Sequence, residues 1–435
     1  MRTGKHEGKN VVQAKNVGLK SVELLAPAGG MEQLRAAIRF GADAVYLAAD
    51  RFGMRQRAQN FTLDELPDAI AYAHARGVSV HVTLNTLMDA DDIAALPSYC
   101  AALAEAGADA FIVSDLGALA VARRSAPGVD IHVSTQASVC NAEAARVWYS
   151  LGARRVVCAR EMSVADIARM RHDVPDDLQL EAFVHGAMCV AYSGRCLLSA
   201  AMTGRSGNKG HCSQSCRWSY ELVEEKRPGE YYTLEQDARG SYVLNAKDLN
   251  MLCYLDDLAC AGVSSFKIEG RNKKAAYVAT VVHAYRQVMD GADPAEAEAD
   301  LYAISHRPYG TGFYFGEPDQ TLERDGYVKE CLHVATVTSC EPMSDSATAY
   351  TVTTTCHNRF YEGQVVELVT PSRPIERFTV SGLHWLPTPT DDHPNLRAQA
   401  VDVANRAMDS YSFTSPIPCE PGDFLRVRIE DSQAG

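Results

Sequence analysis

The sequence predicts an α/β fold, a (β/α)8 TIM-like barrel with a cysteine-bearing insertion between strands 7 and 8, followed by a small C-terminal β-barrel domain. Three observations predict it. Between Val22 and about residue 290 one rhythm recurs eight times: a short β-branched apolar run, a polar turn, then an amphipathic helical stretch. The strand runs are apolar almost throughout, as in a sheet buried on both faces. No G-x-G-x-x-G loop follows the first run, which disfavours the open doubly wound sheet that the same alternation would otherwise allow.

In order, the strand segments are 22–28, 44–49, 78–85, 110–115, 130–136, 154–160, 178–186 and 264–270. Between them MEQLRAAIRF, LDELPDAIAYAHA, LPSYCAALAEA, NAEAARVWYSL and VADIARMRH place apolar residues three and four apart, on one helical face. Gly41, Gly77, Gly107, Gly152 and Gly262 fall where helices should stop, because glycine takes the left-handed conformation that closes a helix.

The rhythm breaks once: about 78 residues separate the seventh and eighth runs, and an interruption of that length predicts function there. The predicted organisation is a mobile extension at 1–20, the barrel at 21–290 with its insertion at 187–243, a helical linker at 291–324, and a β domain at 325–435. That last segment, rich in short alternating strands, reads as a substrate or RNA accessory. A chain of 435 residues, 46% hydrophobic, can bury a full core. Its net charge of −13 excludes whole-surface attraction to nucleic acid, so any RNA contact must be local. The absence of a long apolar run or secretory core predicts a cytoplasmic protein with no membrane partner.

The insertion carries Cys189, Cys196, Cys212 and Cys216 in a C-x6-C-x15-C-x3-C array. Cytosolic thiols stay reduced, so clustered cysteines point to metal or redox chemistry rather than disulfides. Four thiolates suit zinc or a 4Fe-4S cluster; the wide first gap favours the cluster over zinc knuckles, whose ligands sit two to four residues apart. Of the nine others, Cys100, Cys140, Cys158, Cys331, Cys340, Cys356 and Cys419 read as core, and Cys253 and Cys260 lie on an apolar helical face, with Cys253 the lesser candidate for a further ligand.

Between Gly186 and Tyr220 there is no Asp or Glu, yet Arg195, Arg205, Lys209, His211 and Arg217 all occur. This basic island should face an anion, a phosphate backbone or a small carboxylate co-substrate, with Tyr192 and Trp218 as stacking surfaces. The plainer role is to offset the charge of a thiolate cluster. Strand ends are where a barrel keeps its chemistry, and here they bear Asn85, Ser134, Gln136, Arg160, Glu161, His185, Glu269 and Arg271. Singly, each could be a cap or a structural partner; together they predict a polar mouth.

Several of these residues lie in segments that resemble the peptidase U32, or collagenase-like protease, family: EAFVHGAMCVAYSGRCLLS at 181–199, ELLAPAGG at 23–30, RAQNF at 57–61, HVSTQAS at 132–138, LNAKDL at 244–249 and FKIEGR at 266–271. Within it, the C-x3-C pair followed by RW, LNAKDL and a C-terminal PGDFLR look most like the tRNA-hydroxylating branch. The resemblance implies a 4Fe-4S cluster on Cys189, Cys196, Cys212 and Cys216. It also implies conversion of the tRNA wobble uridine to 5-hydroxyuridine, with prephenate as the oxygen donor. Sister branches imply ribosomal RNA or a quinone precursor as alternative substrates. Electron- or cluster-delivery proteins would be further partners.

If thiolates hold every iron, the cluster would serve electron transfer or local order. His185, Glu269 and Arg271 then become the expected catalytic groups, and Asn85, Gln136, Arg160, Arg195, Lys209, Arg217 and Lys247 the expected substrate contacts. The rival readings are a peptidase and a non-catalytic RNA-binding partner. Against proteolysis stand the missing H-E-x-x-H and G-x-S-x-G motifs, leaving only a cysteine with His185 as base.

Overall fold

The computed structural model describes residues 18–55, 59–189, 191, 194–218, 221–223, 231–233, 247–316, 328–343, 348–387 and 397–429. Nearly all of the expected extension, Tyr192 and the Arg217 side chain lie outside the described set.

Seven strands, β1 (Glu23–Pro27), β2 (Ala44–Leu47), β3 (Ser79–Leu84), β4 (Ala110–Val113), β5 (Asp130–Val133), β6 (Arg155–Val157) and β7 (Gln179–Ala187), alternate with helices α1 (Met31–Arg39), α2 (Leu66–His74), α3 (Ala90–Glu105), α4 (Leu116–Ser125), α5 (Ala142–Ser150) and α6 (Val164–Asp173). After β7 come α7 (Leu198–Thr203), a short hairpin of β8 (Glu221–Val223) and β9 (Tyr231–Thr233), β10 (Asp248–Asn250) and α8 (Leu255–Cys260). The eighth barrel strand is β11 (Ser265–Ile268), followed by α9 (Ala275–Asp290), α10 (Pro294–Ala303) and β12 (Tyr309–Gly310). Consecutive strands pair in parallel and β11 pairs with both β7 and β1, so the barrel closes as the eightfold rhythm predicts.

Helix starts follow their caps. Asp89 closes a capping box with Asp92, so α3 begins six residues before the apolar run that announces it, and it carries Pro97 within. Ser163 and Asp166 repeat the device on α6.

The two faces of the strands differ. Leu24, Val45, Val80, Phe111, Ile131, Leu180 and Phe266 point outward and join the helices in one core. Their neighbours point inward, where Leu25, Ala44, Tyr46 and Ile112 form a separate small apolar cluster. Val157 and Phe183 add apolar surface inside, but Arg155, Glu181, Lys267, His81, His132 and Thr83 also point inward, so the inner face is mixed rather than apolar throughout. Arg155 donates to Glu23 at 2.6 and 3.1 Å and to Glu181 at 3.0 Å. Ser265 donates to Glu23 at 2.8 Å, and Lys267 to Glu181 at 2.6 Å. Glu181 is fully buried, and those cations outweigh its burial to hold its carboxyl down at about 2.

The C-terminal domain is an antiparallel sheet of eight strands curled into a half-barrel, with Cys331–Pro342 near its centre. It docks along α1 and α10: Arg39 bonds Asp423 and Glu420, Phe40 meets Phe424 at 5.6 Å, and Arg426 bonds Asp300 at 2.9 Å. Among the described residues no helix is long and apolar enough to cross a membrane.

Candidate active site at the barrel mouth

Where the strands end, a cavity of about 1010 Å³, counted out to open solvent, is walled by Tyr46, Thr83, Ile112, Val157, Phe183 and Lys267 from six different strands. All four cysteines of the insertion, Cys189, Cys196, Cys212 and Cys216, border it.

Three fastenings hold the insertion over the mouth. Lys209 pairs with Asp89 and, at 3.6 Å, with Asp92 at the start of α3. The Leu87 amide donates to the Asn208 carbonyl at 3.0 Å. Gly194, at φ 76°, packs so tightly on Gln136 that a Cβ would lie 2.9 Å from its Oε1. Within the insertion, Ser199, Ser213 and Ser215 form a chain of hydroxyl contacts at 2.9 and 2.7 Å that ties the turn bearing Cys212 and Cys216 to α7.

None of the four cysteines is in a disulfide; Cys189 is exposed and the other three are half-buried. The Gln214 amide donates to Cys212 Sγ at 3.3 Å. Among the described residues no three His, Cys, Asp or Glu side chains are close enough to hold a single metal ion. The thiols share a cavity without converging on one point. In kind and number they remain a donor set for a group larger than one ion.

Beneath the thiols lies a guanidinium cluster. Arg160 stacks on Phe183 at 3.9 Å and donates to the Ala187 carbonyl at 2.9 Å and to Glu269 at 3.2 Å. Arg55, at φ 69°, lies 3.6 Å from the other Glu269 oxygen, and the charges of Glu269, Cys189 and Cys212 help raise its pKa. Burial alone would push the Glu269 carboxyl up, but Arg55, Arg160, Arg271 and Lys267 outweigh it and hold it below the usual range. Glu269 is therefore a fixed carboxylate and a poor proton donor. Arg271 is 3% exposed, and burial pulls its guanidinium down to about 10. Two glycines let the backbone close around this segment: a Cβ on Gly29 would lie 2.0 Å from the Arg271 carbonyl oxygen, and one on Gly186 2.5 Å from that of Glu269.

Four buried polar atoms on the cavity wall have no hydrogen-bond partner: Thr83 Oγ1, Gln136 Oε1, Arg160 Nε and Arg271 Nη1. An unmade bond on a buried polar group costs about 1–3 kcal/mol, and four such groups belong to residues that wall this one cavity. The mix is two cationic donors, a hydroxyl and one acceptor, suited to an anion or a polar heterocycle.

The structure brings Asn85, Gln136, Arg160, Glu269 and Arg271 together with the thiols. Asn85 is already engaged, accepting from the Met54 amide at 3.1 Å and donating to Ser134 Oγ at 3.1 Å, so it braces the wall. Lys209 serves as a fastening rather than a substrate contact. Arg195 is exposed outside the cavity lining, and Lys247 lies along Gly310, off the cavity. Glu161 is also absent from the lining. No residue of the C-terminal domain borders the cavity among those described.

His185 is the largest correction. A strand period of two counted from Phe183 would aim it inward, but β7 bulges opposite β11: Phe183 pairs with Lys267 and His185 with Ile268. The bulge turns His185 out of the barrel, among Tyr277, Tyr285 and Tyr309 at 5.4 to 6.1 Å between ring centres. It is 1% exposed, and burial lowers its pKa to about 3, so it is neutral and cannot serve the cavity directly. Conversely, Thr83, Tyr46, Arg55 and Lys267 line the cavity without having been singled out. Lys267 stands two residues before Glu269, on the same side of its strand, and alternation alone could have found it.

Comparison with known proteins agrees with this architecture. The chain is 35% identical over 428 residues to tRNA hydroxylation protein P1 of Bacillus subtilis (strain 168), covering 96% of this chain and 97% of that one. It is 32% identical over 444 residues to tRNA hydroxylation protein P of Escherichia coli (strain K12), covering 91% and 94%. It is 39% identical over 269 residues to the 23S rRNA 5-hydroxycytidine C2501 synthase of the same organism, covering 62% and 39%. Residues 29–324 match peptidase family U32 and residues 330–426 match the peptidase family U32 C-terminal domain, so barrel and sheet together place this chain in the peptidase U32 family.

Proposed function

We propose that this protein is an RNA-hydroxylating enzyme that converts the wobble uridine of tRNA to 5-hydroxyuridine, taking the oxygen from prephenate rather than from dioxygen. The observation that carries the reading is the mouth cavity, where four cysteines outside any disulfide border the same space as four polar atoms that lack partners. The tRNA substrate is favoured by chain-long similarity to tRNA hydroxylation proteins. Similarity to a cytidine hydroxylase of ribosomal RNA, over a smaller share of the chain, makes ribosomal RNA the second reading.

In this reading Cys189, Cys196, Cys212 and Cys216 hold a 4Fe-4S cluster, which supplies one-electron chemistry and order to the insertion when bound. Arg55 offsets the negative charge of Cys189 and Cys212. Arg271 Nη1 and Arg160 Nε bind the carboxylate of the co-substrate, and Glu269 keeps the Arg160 guanidinium in place. Thr83 and Gln136 bond the pyrimidine edge. The roof formed by the insertion limits water at the reacting carbon. Proteolysis lacks support at the site: no histidine borders the cavity among the described residues, so no thiol there has an imidazole base.

Nucleoside mass spectrometry of tRNA from a strain lacking the gene tests the proposal; 5-hydroxyuridine and its derivatives should vanish and return with the wild-type gene. Cys196→Ala should abolish both the visible absorbance of anaerobically purified protein and the modified nucleoside. A colourless protein that still restores the nucleoside overturns the cluster assignment. Unchanged tRNA in the deletion strain overturns the substrate.

A further inference from the structure

We infer that Cys340 and Cys419 of the C-terminal domain form a reversible thiol–disulfide pair, a site of oxidation by hydrogen peroxide that fastens the turn docking this domain on the barrel. The inference is independent of the function proposed above.

Sequence distance hides the pair. Cys340 lies near the end of the strand Cys331–Pro342, and Cys419 precedes the last strand, Phe424–Arg428. The Gly422 amide donates to the Val337 carbonyl and the Val337 amide to the Asp423 carbonyl, each at 2.9 Å, so the turn before the last strand is laid against the first. The Cys419 amide then donates to Cys340 Sγ at 3.3 Å. Adding the bonds that join each of those two atoms to its own Cα bounds the Cα separation at about 8 Å, and disulfides span about 4.4–6.8 Å, so at most a small shift of the turn completes the geometry. The Cys419 thiol meanwhile donates to the Ile417 carbonyl at 3.6 Å, a weak bond that rotation about χ1 gives up.

The two sulfurs differ in access. Cys340 is half-buried, whereas Cys419 is 7% exposed, and burial with the neighbouring Cys340 sulfur pushes its thiol up to about 12. Peroxide therefore reacts first at Cys340. Its sulfur attacks one peroxide oxygen, the O–O bond breaks, and a sulfenic acid and one water result. The Cys419 sulfur then attacks the Cys340 sulfur, the S–S bond forms as the S–O bond breaks, and the departing hydroxide takes the Cys419 proton as a second water. Two thiols and one hydrogen peroxide become one disulfide and two waters. Proximity offsets the reluctance of Cys419 to ionise.

The turn so tied is the one that meets the barrel. Asp423 donates its amide to the Glu420 carbonyl at 3.0 Å, Glu420 donates its amide to Asp423 Oδ2 at 2.8 Å, and both carboxylates bond Arg39 of α1. A disulfide at Cys419 holds these carboxylates to the central strand.

The test treats full-length protein with hydrogen peroxide, blocks the remaining thiols and maps peptides without reduction. A peptide pair joined through Cys340 and Cys419 should appear, disappear with dithiothreitol, be absent from Cys340→Ser, and persist in Cys260→Ser, which removes an exposed thiol elsewhere. The melting transition of the C-terminal domain should rise by several degrees on oxidation and fall back on reduction, with no such rise in Cys340→Ser. The wild-type map decides the matter even if that variant folds poorly, and cysteines of the insertion are told apart by their own peptides. Wild-type Cys340 driven to sulfinic or sulfonic acid while Cys419 stays free, or joined to a different cysteine, overturns the pair. A cross-link that leaves melting unchanged overturns its fastening role.

Discussion

The lower and upper layers of the same barrel interior use charge in opposite ways. Around Glu23, Arg155 and Glu181 every carboxylate and guanidinium group is matched, several at 3.1 Å or less. One layer higher, Arg160 and Arg271 are also buried, yet each keeps a donor without a partner, as do Thr83 and Gln136. A saturated network holds strands together, whereas an unsaturated one stores binding capacity at a cost in stability. For the carboxylates and guanidiniums, degree of satisfaction rather than charge or burial separates framework from site, although His81 Nδ1 and His132 Nδ1 of the lower layer also lack partners.

Substitutions can sharpen that contrast. The largest effect belongs to the lower layer: Arg155→Met strands Glu23 and Glu181, and chemical denaturation should show a loss of about 3–5 kcal/mol. Arg271→Met, in the upper layer, should cost under about 1 kcal/mol of stability, since a buried unpaired donor disappears with the side chain. It should lower hydroxylation by about 100-fold or more. Equal stability losses from the two variants would erase the distinction.

Acid probes the lower layer by another route. His81 is buried and neutral, its pKa pulled down to about 4 by burial. The unfolded chain takes up a proton near pH 6.5 and the folded one only near 4, so stability falls as pH drops through that window. The loss is up to about 1.4 kcal/mol per pH unit for this one ring. His81→Gln should reduce the dependence of melting temperature on pH between 6.5 and 4, the other buried histidines retaining theirs. Glu181 acts lower still: its stabilisation, complete above the usual carboxylate range, disappears as pH falls toward about 2. The smallest effect is expected at Lys209→Ala, whose exposed pair with Asp89 should leave melting unchanged and weaken only the seating of the insertion, read as faster proteolysis near Asn208.

The barrel was legible because outward-facing strand residues and helix faces repeat with their own periods, and closure follows from the count of eight. The inward face was less legible. Glu181, Arg155 and Lys267 come from three strands, and in sequence each resembles an ordinary surface charge. Only closure of the sheet reveals their pairing. The cysteines were readable as a set because they are close in sequence, and they border one cavity. His185 was misplaced because a bulge has no signature in strand alternation: one extra residue in β7 reverses everything after it. Lys209 looked like part of a phosphate-binding island because its acidic partners lie more than a hundred residues earlier.

The long seventh strand has a further implication. Its last residue, Ala187, stands directly across from Asp248 in antiparallel register, so the excursion between them leaves and returns on a single rung of the ladder. A segment whose two ends already touch can be shortened, lengthened or exchanged without asking the strands to move, since the entropy of closing a loop grows only slowly with its length. Relatives of this chain could therefore acquire new substrates by trading that cassette, and an engineer could graft one onto the same pair of residues.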